Sequence, residues 1–231
     1  MGEPLDGGEG LLFWKPIWKG GRMIIWPNMT QGSDEWFAAR TGKLTASNAS
    51  KIITAGGKPS TQRSAYIEEL ISDCFCPGQN AFGGNYATDR GTALEPEARQ
   101  SFLRRYGMEV REVGFVSRED GIIGCSPDGL LFDEAGIIVA GLEIKCPLPK
   151  THLRYLMDGV LPDTYKPQVH FSMMVTGLPW YFFSYCPGIK PLKLFIEPDS
   201  YTERMRSMVD GFLLEYSAAW AAASKYREEA L

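Results

Sequence analysis

The sequence lacks the usual ingredients of several chemistries. Histidine occurs only twice, at His152 and His170, too few for a His-rich metal centre. The five cysteines, Cys74, Cys76, Cys125, Cys146 and Cys186, include no C-x-x-C pair. Zinc ribbons, thioredoxin-type sites and clustered iron–sulfur ligation are therefore excluded. An odd count in a chain of this length also disfavours a secreted disulfide framework, and the thiols read as free in a reducing cytosol. No apolar run approaches the ~18 residues of a membrane span. Gly136–Ile144 is only strand-length, broken by glycine and ended by charge. Positive charge is not in excess either: 24 Lys+Arg against 28 Asp+Glu give a net −4. That excludes a domain holding nucleic acid by bulk charge, for which a pI above ~9 is usual. It does not exclude a nucleic-acid enzyme whose acidic residues surround metal ions.

What is present is ordinary globular material, 44% hydrophobic and 23% charged over 231 residues. A chain of that size buries a core without disulfide or metal. Residues 1–22 differ, with glycines around Leu12-Phe-Trp-Lys-Pro-Ile-Trp18, and read as a poorly ordered extension. Residues 23–231 read as one domain. Ser33 or Asp34 caps a short helix carrying Trp36, Phe37 and Arg40. A second helix is expected from Thr45-Ala-Ser47 through Ile53, and further helices over 62–75 and 86–106. The period then changes. Val110 to Val116 reads as one strand, followed by strands at 121–125, 130–132 and 137–145. Helices at 150–158 and 163–176, strands at 180–185 and 191–196, and a last helix over 199–225 complete an α/β chain.

The most informative residues are Ser126-Pro127-Asp128-Gly129 and Leu142-Glu143-Ile144-Lys145. Asp128 opens one strand, and Glu143 lies near the end of its hairpin partner. Glu143 and Lys145, two apart, point to one face. That face presents two carboxylates and an ammonium at one spot. Hard cations such as Mg²⁺ or Mn²⁺ take carboxylate, carbonyl and water oxygens, and the Ile144 carbonyl is a natural extra ligand. Such a metal activates water and neutralises charge on a phosphate, and the lysine orients that water or lowers its pKa. Read separately, Pro-Asp-Gly is a common turn and Glu-Ile-Lys a common edge strand. A carboxylate and an ammonium in so apolar a strand pair, however, need a partner or a function. Glu95 places a further carboxylate on the long helix, near Glu97 and Arg99, where a solvated charged face is the plainer reading. Gln168 stands in an otherwise apolar helix, where a boundary residue is the plainer reading.

Arg40-Thr-Gly-Lys-Leu-Thr-Ala-Ser47, Gly91-x-x-x-Glu95, Ser126-Pro-Asp-Gly129, Leu142-Glu-Ile-Lys-Cys-Pro147 and Gln168-Val-His-Phe-Ser-Met-Met-Val-Thr176 follow in order. Together they resemble the phage lambda exonuclease family, or YqaJ-like viral recombinases, among the PD-(D/E)XK nucleases. The resemblance implies a restriction-endonuclease-like core, a mixed central sheet flanked by helices. It implies a Mg²⁺- or Mn²⁺-dependent, processive 5′→3′ exonuclease on double-stranded DNA ends, with two metals per site. Mononucleotides would be released and 3′ overhangs left for strand-annealing recombination. By position, Asp128, Glu143 and Glu95 would hold metal with the Ile144 carbonyl, and Lys145 would act on the attacking water. Arg40, Ser47, Ser126 and Gln168 would bind the 5′-phosphate. Lys58 or Arg63 would enter the minor groove. Thr88 falls where relatives carry an apolar wedge, a departure from the pattern. The resemblance also implies a homotrimeric ring around DNA, a single-strand annealing recombinase as partner, and action in the cytoplasm of a phage-bearing host. The ring makes the net charge of −4 acceptable. An alkaline optimum is expected, with Lys145 unpaired, and little activity with Ca²⁺. The competing readings are an endonuclease on the same core and a DNA-end-binding module without catalysis. Intact Asp128, Glu143 and Lys145 argue against the latter.

Overall fold

Two strips of sheet, rather than one continuous central sheet, organise the chain. The computed structural model describes residues 23–78 and 86–227, and of residues 86–89 the backbone alone. The extension expected over 1–22, residues 79–85 and residues 228–231 therefore lie outside the described residues. In chain order the elements are β1 (Met23–Trp26), α1 (Asp34–Arg40), β2 (Leu44–Thr45), a 3₁₀ turn (Ala46–Lys51), α2 (Arg63–Phe75) and α3 (Tyr86–Tyr106). Then come β3 (Glu109–Arg111), β4 (Phe115–Arg118), β5 (Ile123–Cys125), β6 (Gly129–Phe132) and β7 (Ile138–Lys145). The chain ends through α4 (Pro149–Asp158), α5 (Lys166–Thr176), β8 (Trp180–Ser184), β9 (Leu192–Ile196) and α6 (Ser200–Ala223).

The four-stranded sheet runs β1-β4-β5-β2 and the five-stranded sheet β3-β6-β7-β8-β9. Both are mixed: β2 is parallel to β5, and β7 to β8. β6 and β7 form the expected antiparallel hairpin, with Gly129 opposite Leu142. The single strand expected from Val110 to Val116 is two, β3 and β4, one in each sheet. Between them Gly114 passes so close to Met29 that a Cβ would meet its carbonyl oxygen at 2.1 Å. The helix expected after Thr45 is a 3₁₀ turn. Ser47, Asn48 and Ser50 are poor helix formers whose side chains compete for backbone groups, and β2 pairing with β5 fixes the entry.

Helix α5 explains why the chain folds around this point. Pro167 and residues 169–175 are all buried, so the helix is enclosed on nearly every side, with His170 and Ser172 its buried polar residues. Its neighbours in the main core come from both sheets, with Val116 and Ile123 on one side and Leu130, Trp180 and Phe182 on the other. Left-handed Gly177 (φ 72°) ends it. A second core lies on the other face of the five-stranded sheet, under α3. There Phe102 meets Phe183 edge-on at 5.2 Å, beside Ala98, Leu131 and Leu142. Each such ring contributes roughly 1.5–3 kcal/mol by burial. Strand β7 thus alternates: Leu142 and Ile144 face α3, while Glu143 reaches α5. Gly141 is required in this strand, because a Cβ there would enter the Trp180 ring at 2.2 Å. Among the described residues no helix is long and apolar enough to cross a membrane.

Candidate active site

The hairpin β6–β7 positions the acidic cluster. Asp128 is held on three sides. Its N–H donates to the Leu142 carbonyl at 3.0 Å. Its Oδ2 accepts the Ile144 N–H at 2.5 Å. Its carbonyl accepts Arg99 Nε at 3.0 Å. Two residues beyond Glu143 on β7, Lys145 lies with Nζ 2.5 Å from Glu143 Oε1. The same oxygen accepts Gln168 Nε2 from α5 at 2.6 Å. Glu143 is 1% exposed, which makes it the most deeply placed charge in the cluster. Ile144, expected as a carbonyl ligand, contributes its N–H to Asp128 and pairs in register with Phe183.

Glu95 approaches from α3, one residue before Pro96, which interrupts the N–H ladder inside the helix. Its Oε1 accepts Arg99 Nη2 at 2.6 Å. Arg99 Nη1 reaches Glu112 at 2.6 Å, so one guanidinium joins two carboxylates and the Asp128 carbonyl. Arg99 is thus a brace for the site.

The electrostatics follow from burial. Desolvation first, then the Asp128 charge, push the Glu95 carboxyl up to about 7. Desolvation outweighs Lys145 and pushes Glu143 up to about 7 as well. Asp128 is raised too, by burial, against the pull of Lys145 and the Ile144 N–H. For Lys145, burial would lower the pKa, but Glu143 and Asp128 more than offset it and hold it above its ordinary value. This corrects the expectation of an unpaired lysine. Lys145 is an ammonium paired with Glu143, placed to orient a water or stabilise negative charge.

These carboxylates are raised chiefly because burial strips water from their charged forms, and a bound cation would offset that loss. Asp128 Oδ1 and Glu143 Oε2 have no hydrogen-bond partner among the described residues. Yet no three His, Cys, Asp or Glu side chains converge as a ready-made cage among those residues. The donor set therefore fits a hard divalent cation of the Mg²⁺ kind, held by one or two carboxylates and completed by waters and substrate phosphate.

A second cluster adjoins the first through the Ser126–Asp128 turn. Arg40, at the end of α1, donates from Nη1 to Ser126 Oγ at 3.0 Å and from Nη2 to Ser47 Oγ at 2.9 Å. Its guanidinium lies 4.1 Å from the centre of the Trp36 ring. Burial lowers its pKa to about 10. Among the described residues it has no carboxylate partner, so it is a cation surrounded by hydroxyls. Trp36 also donates from Nε1 to Ser126 Oγ at 2.9 Å, and Gln31 Nε2 to the Pro127 carbonyl at 2.9 Å. Trp36 and Gln31 are missed by the sequence reading, because neither belongs to a polar motif. Arg40, Ser47 and Ser126 come together as expected. Gln168 does not join them; it donates to Glu143 instead.

Of the groove candidates, Lys58 is exposed on its loop. Arg63 is corrected to an internal role. It pairs with Glu215 Oε1 at 2.8 Å, donates to the Ile52 and Met208 carbonyls, and lies over Phe212. With its donors directed into α6 and its own loop, it is not free for DNA. Arg63→Ala should destabilise the fold by about 1–2 kcal/mol and leave cleavage rates at 25 °C unchanged; a denaturant midpoint and an activity assay check both. Thr88 lies in α3, but its side chain is outside the described residues.

Comparison with known proteins agrees with this arrangement. A sequence profile of the YqaJ-like viral recombinase domain matches residues 35–179. No curated protein sequence matches the chain. Among solved structures, the alkaline exonuclease LHK-Exo from Laribacter hongkongensis is 31% identical, covering 84% of this chain and 97% of its own, with a TM-score of 0.72. LHK-Exo in complex with dAMP aligns at 30% identity and TM-score 0.68, over 84% of this chain and all (100%) of the other. A phage-related exonuclease from Haemophilus somnus 129PT shares the fold at 17% identity and TM-score 0.58, over 78% and 96% of the two chains. The fold is the restriction-endonuclease-like one of these alkaline exonucleases. With the matched profile spanning both clusters, from α1 to the residue before β8, the chain belongs to the YqaJ-like viral recombinase family.

Proposed function

We propose that the protein is a divalent-metal-dependent exonuclease that enters linear double-stranded DNA at a 5′-phosphorylated end. It degrades 5′→3′, releases mononucleotides and leaves a 3′ single strand for annealing-type recombination. The observation that carries this reading is the adjacency of an uncompensated Arg40 pocket and a carboxylate–lysine cluster on one turn, Ser126 to Asp128. The first suits a terminal phosphate, since a guanidinium and hydroxyls all donate to its oxygens. The second suits hydrolysis of the adjoining phosphodiester.

A bound divalent cation would supply a nucleophilic water and neutralise charge growing on the phosphate. Asp128 and Glu143 would hold it, with Glu95 and the Ile144 carbonyl as further ligands. Lys145 holds its ammonium beside the position of attack. Arg99 keeps Asp128 and Glu95 in place. Mn²⁺ would serve as Mg²⁺ does, since both accept this oxygen set. The dAMP bound by LHK-Exo supports the reading, because it is a deoxymononucleotide of the kind such a reaction releases. Processive action, a homotrimeric ring, two metals per site, a single-strand annealing partner and cytoplasmic action in a phage-bearing host belong to the same proposal.

The test is digestion of linear duplex bearing 5′-phosphate or 5′-hydroxyl, beside covalently closed circles, with Mg²⁺ or EDTA. The expected result is mononucleotide release from the 5′-phosphorylated linear substrate with Mg²⁺ only. Cutting of closed circles would make the protein an endonuclease. Binding of ends without hydrolysis would make it a catalytically inactive module.

A further inference from the structure

Two of the groups beside Lys145 differ in kind. One is Glu143, whose Oε1 lies 2.5 Å from Nζ. The other is Tyr165, whose ring centre lies 5.1 Å from Nζ, within cation–π range. Glu143 cannot serve both of its proposed roles unchanged. A carboxylate that holds a cation shares its charge with that cation, and the cation repels a nearby ammonium. An aromatic face attracts an ammonium without depending on the charge of Glu143.

We propose that Tyr165 is a positioning residue for Lys145, its ring face holding the ammonium in place when Glu143 turns to a metal. The inference rests on the nuclease reading given above. The ring is itself well placed for this. Phe182 lies beside it at 5.5 Å between centres, and Phe182 pairs in register with Glu143 across β7–β8. Tyr155 of α4 meets it edge-on at 6.3 Å. Tyr165 is the N-cap of α5, and the Val169 N–H donates to its carbonyl at 2.9 Å. One turn along the same helix, Gln168 donates to Glu143. The start of α5 thus approaches both members of the Lys145–Glu143 pair, the amide on the anion and the ring on the cation. A turn of Lys145 away from Glu143 leaves the ring beside the ammonium, with the Asp128 charge also near it.

The experiment compares Tyr165→Leu, which removes the ring, with Tyr165→Phe, which keeps its face. Tyr165→Leu is expected to lower kcat about tenfold, the equivalent of one exposed-to-buried cation–π contact, with KM for duplex ends unchanged. Tyr165→Phe is expected to rescue kcat to within about twofold, since the quadrupole of phenylalanine is similar. The second readout needs no metal. In ¹³C-lysine-labelled, metal-free protein, the Lys145 ε-methylene protons should be shifted upfield by the ring in wild type and Tyr165→Phe. In Tyr165→Leu that shift should vanish, the signal being identified by its absence from Lys145→Arg. An unshifted Lys145 in wild type, a Leu variant with wild-type kcat, or a Phe variant as slow as Leu would each overturn the proposal. The nuclease reading fails separately, if Lys145→Ala still hydrolyses DNA at the wild-type rate.

Discussion

Replacing Asp128 by Asn is expected to reduce hydrolysis of linear duplex DNA by roughly 10³-fold, the scale of losing one preorganised electrostatic element at a charged transition state. The same substitution should not weaken the metal-free fold at pH 8. The amide oxygen can still accept the Ile144 N–H that Oδ2 accepts now. The Glu143–Lys145 pair, at 2.5 Å, remains. What disappears is one negative charge among carboxyls that burial and mutual repulsion already hold near 7, at Glu95 and Glu143. The sign follows from linkage. A carboxyl whose folded pKa exceeds its unfolded value of about 4.3 binds more protons folded than unfolded across roughly pH 4 to 7. Metal-free wild type therefore loses stability as pH rises through that window. Asp128→Asn should lose less, because the Asp128 charge that adds to desolvation in raising Glu95 and Glu143 is gone. Mg²⁺ should restore the wild-type Tm at pH 8 and leave the variant's Tm unmoved. Melting curves at pH 5 and 8, in EDTA and in Mg²⁺, with single-turnover rates, check every part. Wild-type rates in the variant, or an equal Mg²⁺-induced rise in Tm, would remove Asp128 from the site.

How much of this was legible in the sequence depends on the range of the interaction that decides each feature. The β6–β7 hairpin was legible, because a Pro-Asp-Gly turn and a period-2 run are local signals. So was the shared face of Glu143 and Lys145. Helix α5 was found from its apolar length, and α6 from its stripe of Met205, Phe212 and Tyr216, all buried. The division of the strands into two sheets was not legible. It turns on the crossing at Gly114 against Met29, a contact between residues far apart in the chain. The 3₁₀ turn after Thr45 was read as α-helix because Ala49, Ile52 and Ile53 are spaced for one inward face; pairing of Leu44 with Ile123 sets the local path instead. In the site, the family motifs gave Arg40, Ser47 and Ser126 correctly as neighbours. They could not show that Gln168 turns to Glu143, that Arg63 is directed into α6, or that Lys145 is paired. Each of those depends on which of several nearby partners a long side chain meets, and a one-dimensional pattern carries no such information. Trp36 and Gln31 escaped for the opposite reason. Their contribution is a single donor aimed at the Ser126–Pro127 turn, and nothing in their own sequence neighbourhood marks it.

Arg40→Ala should lower the rate on 5′-phosphorylated ends by about 10²-fold, as expected for loss of a bidentate, charge-assisted phosphate contact. On 5′-hydroxyl ends the same variant should match wild type within about twofold, because the contact has no partner there. The distinction follows from how Arg40 is held. A half-buried guanidinium is often paired with a carboxylate. Here the groups around it are Ser126 Oγ at 3.0 Å, Ser47 Oγ at 2.9 Å and the Trp36 ring at 4.1 Å. Hydroxyls and an aromatic face orient a cation without cancelling its charge. The lowering of its pKa by burial expresses the same deficit: desolvation is not repaid by a counter-ion. Such a residue gains its missing partner only when an anion binds. Two further results follow. Inorganic phosphate should raise the Tm of wild type and not of Arg40→Ala. Arg40→Lys should recover little of the lost rate, since a lysine ammonium cannot reach Ser126 and Ser47 together or lie flat on Trp36. If Arg40→Ala slows both kinds of end equally, Arg40 supports the Ser126–Asp128 turn rather than the terminal phosphate, and the two clusters form one structural unit instead of a binding pocket beside a hydrolytic centre.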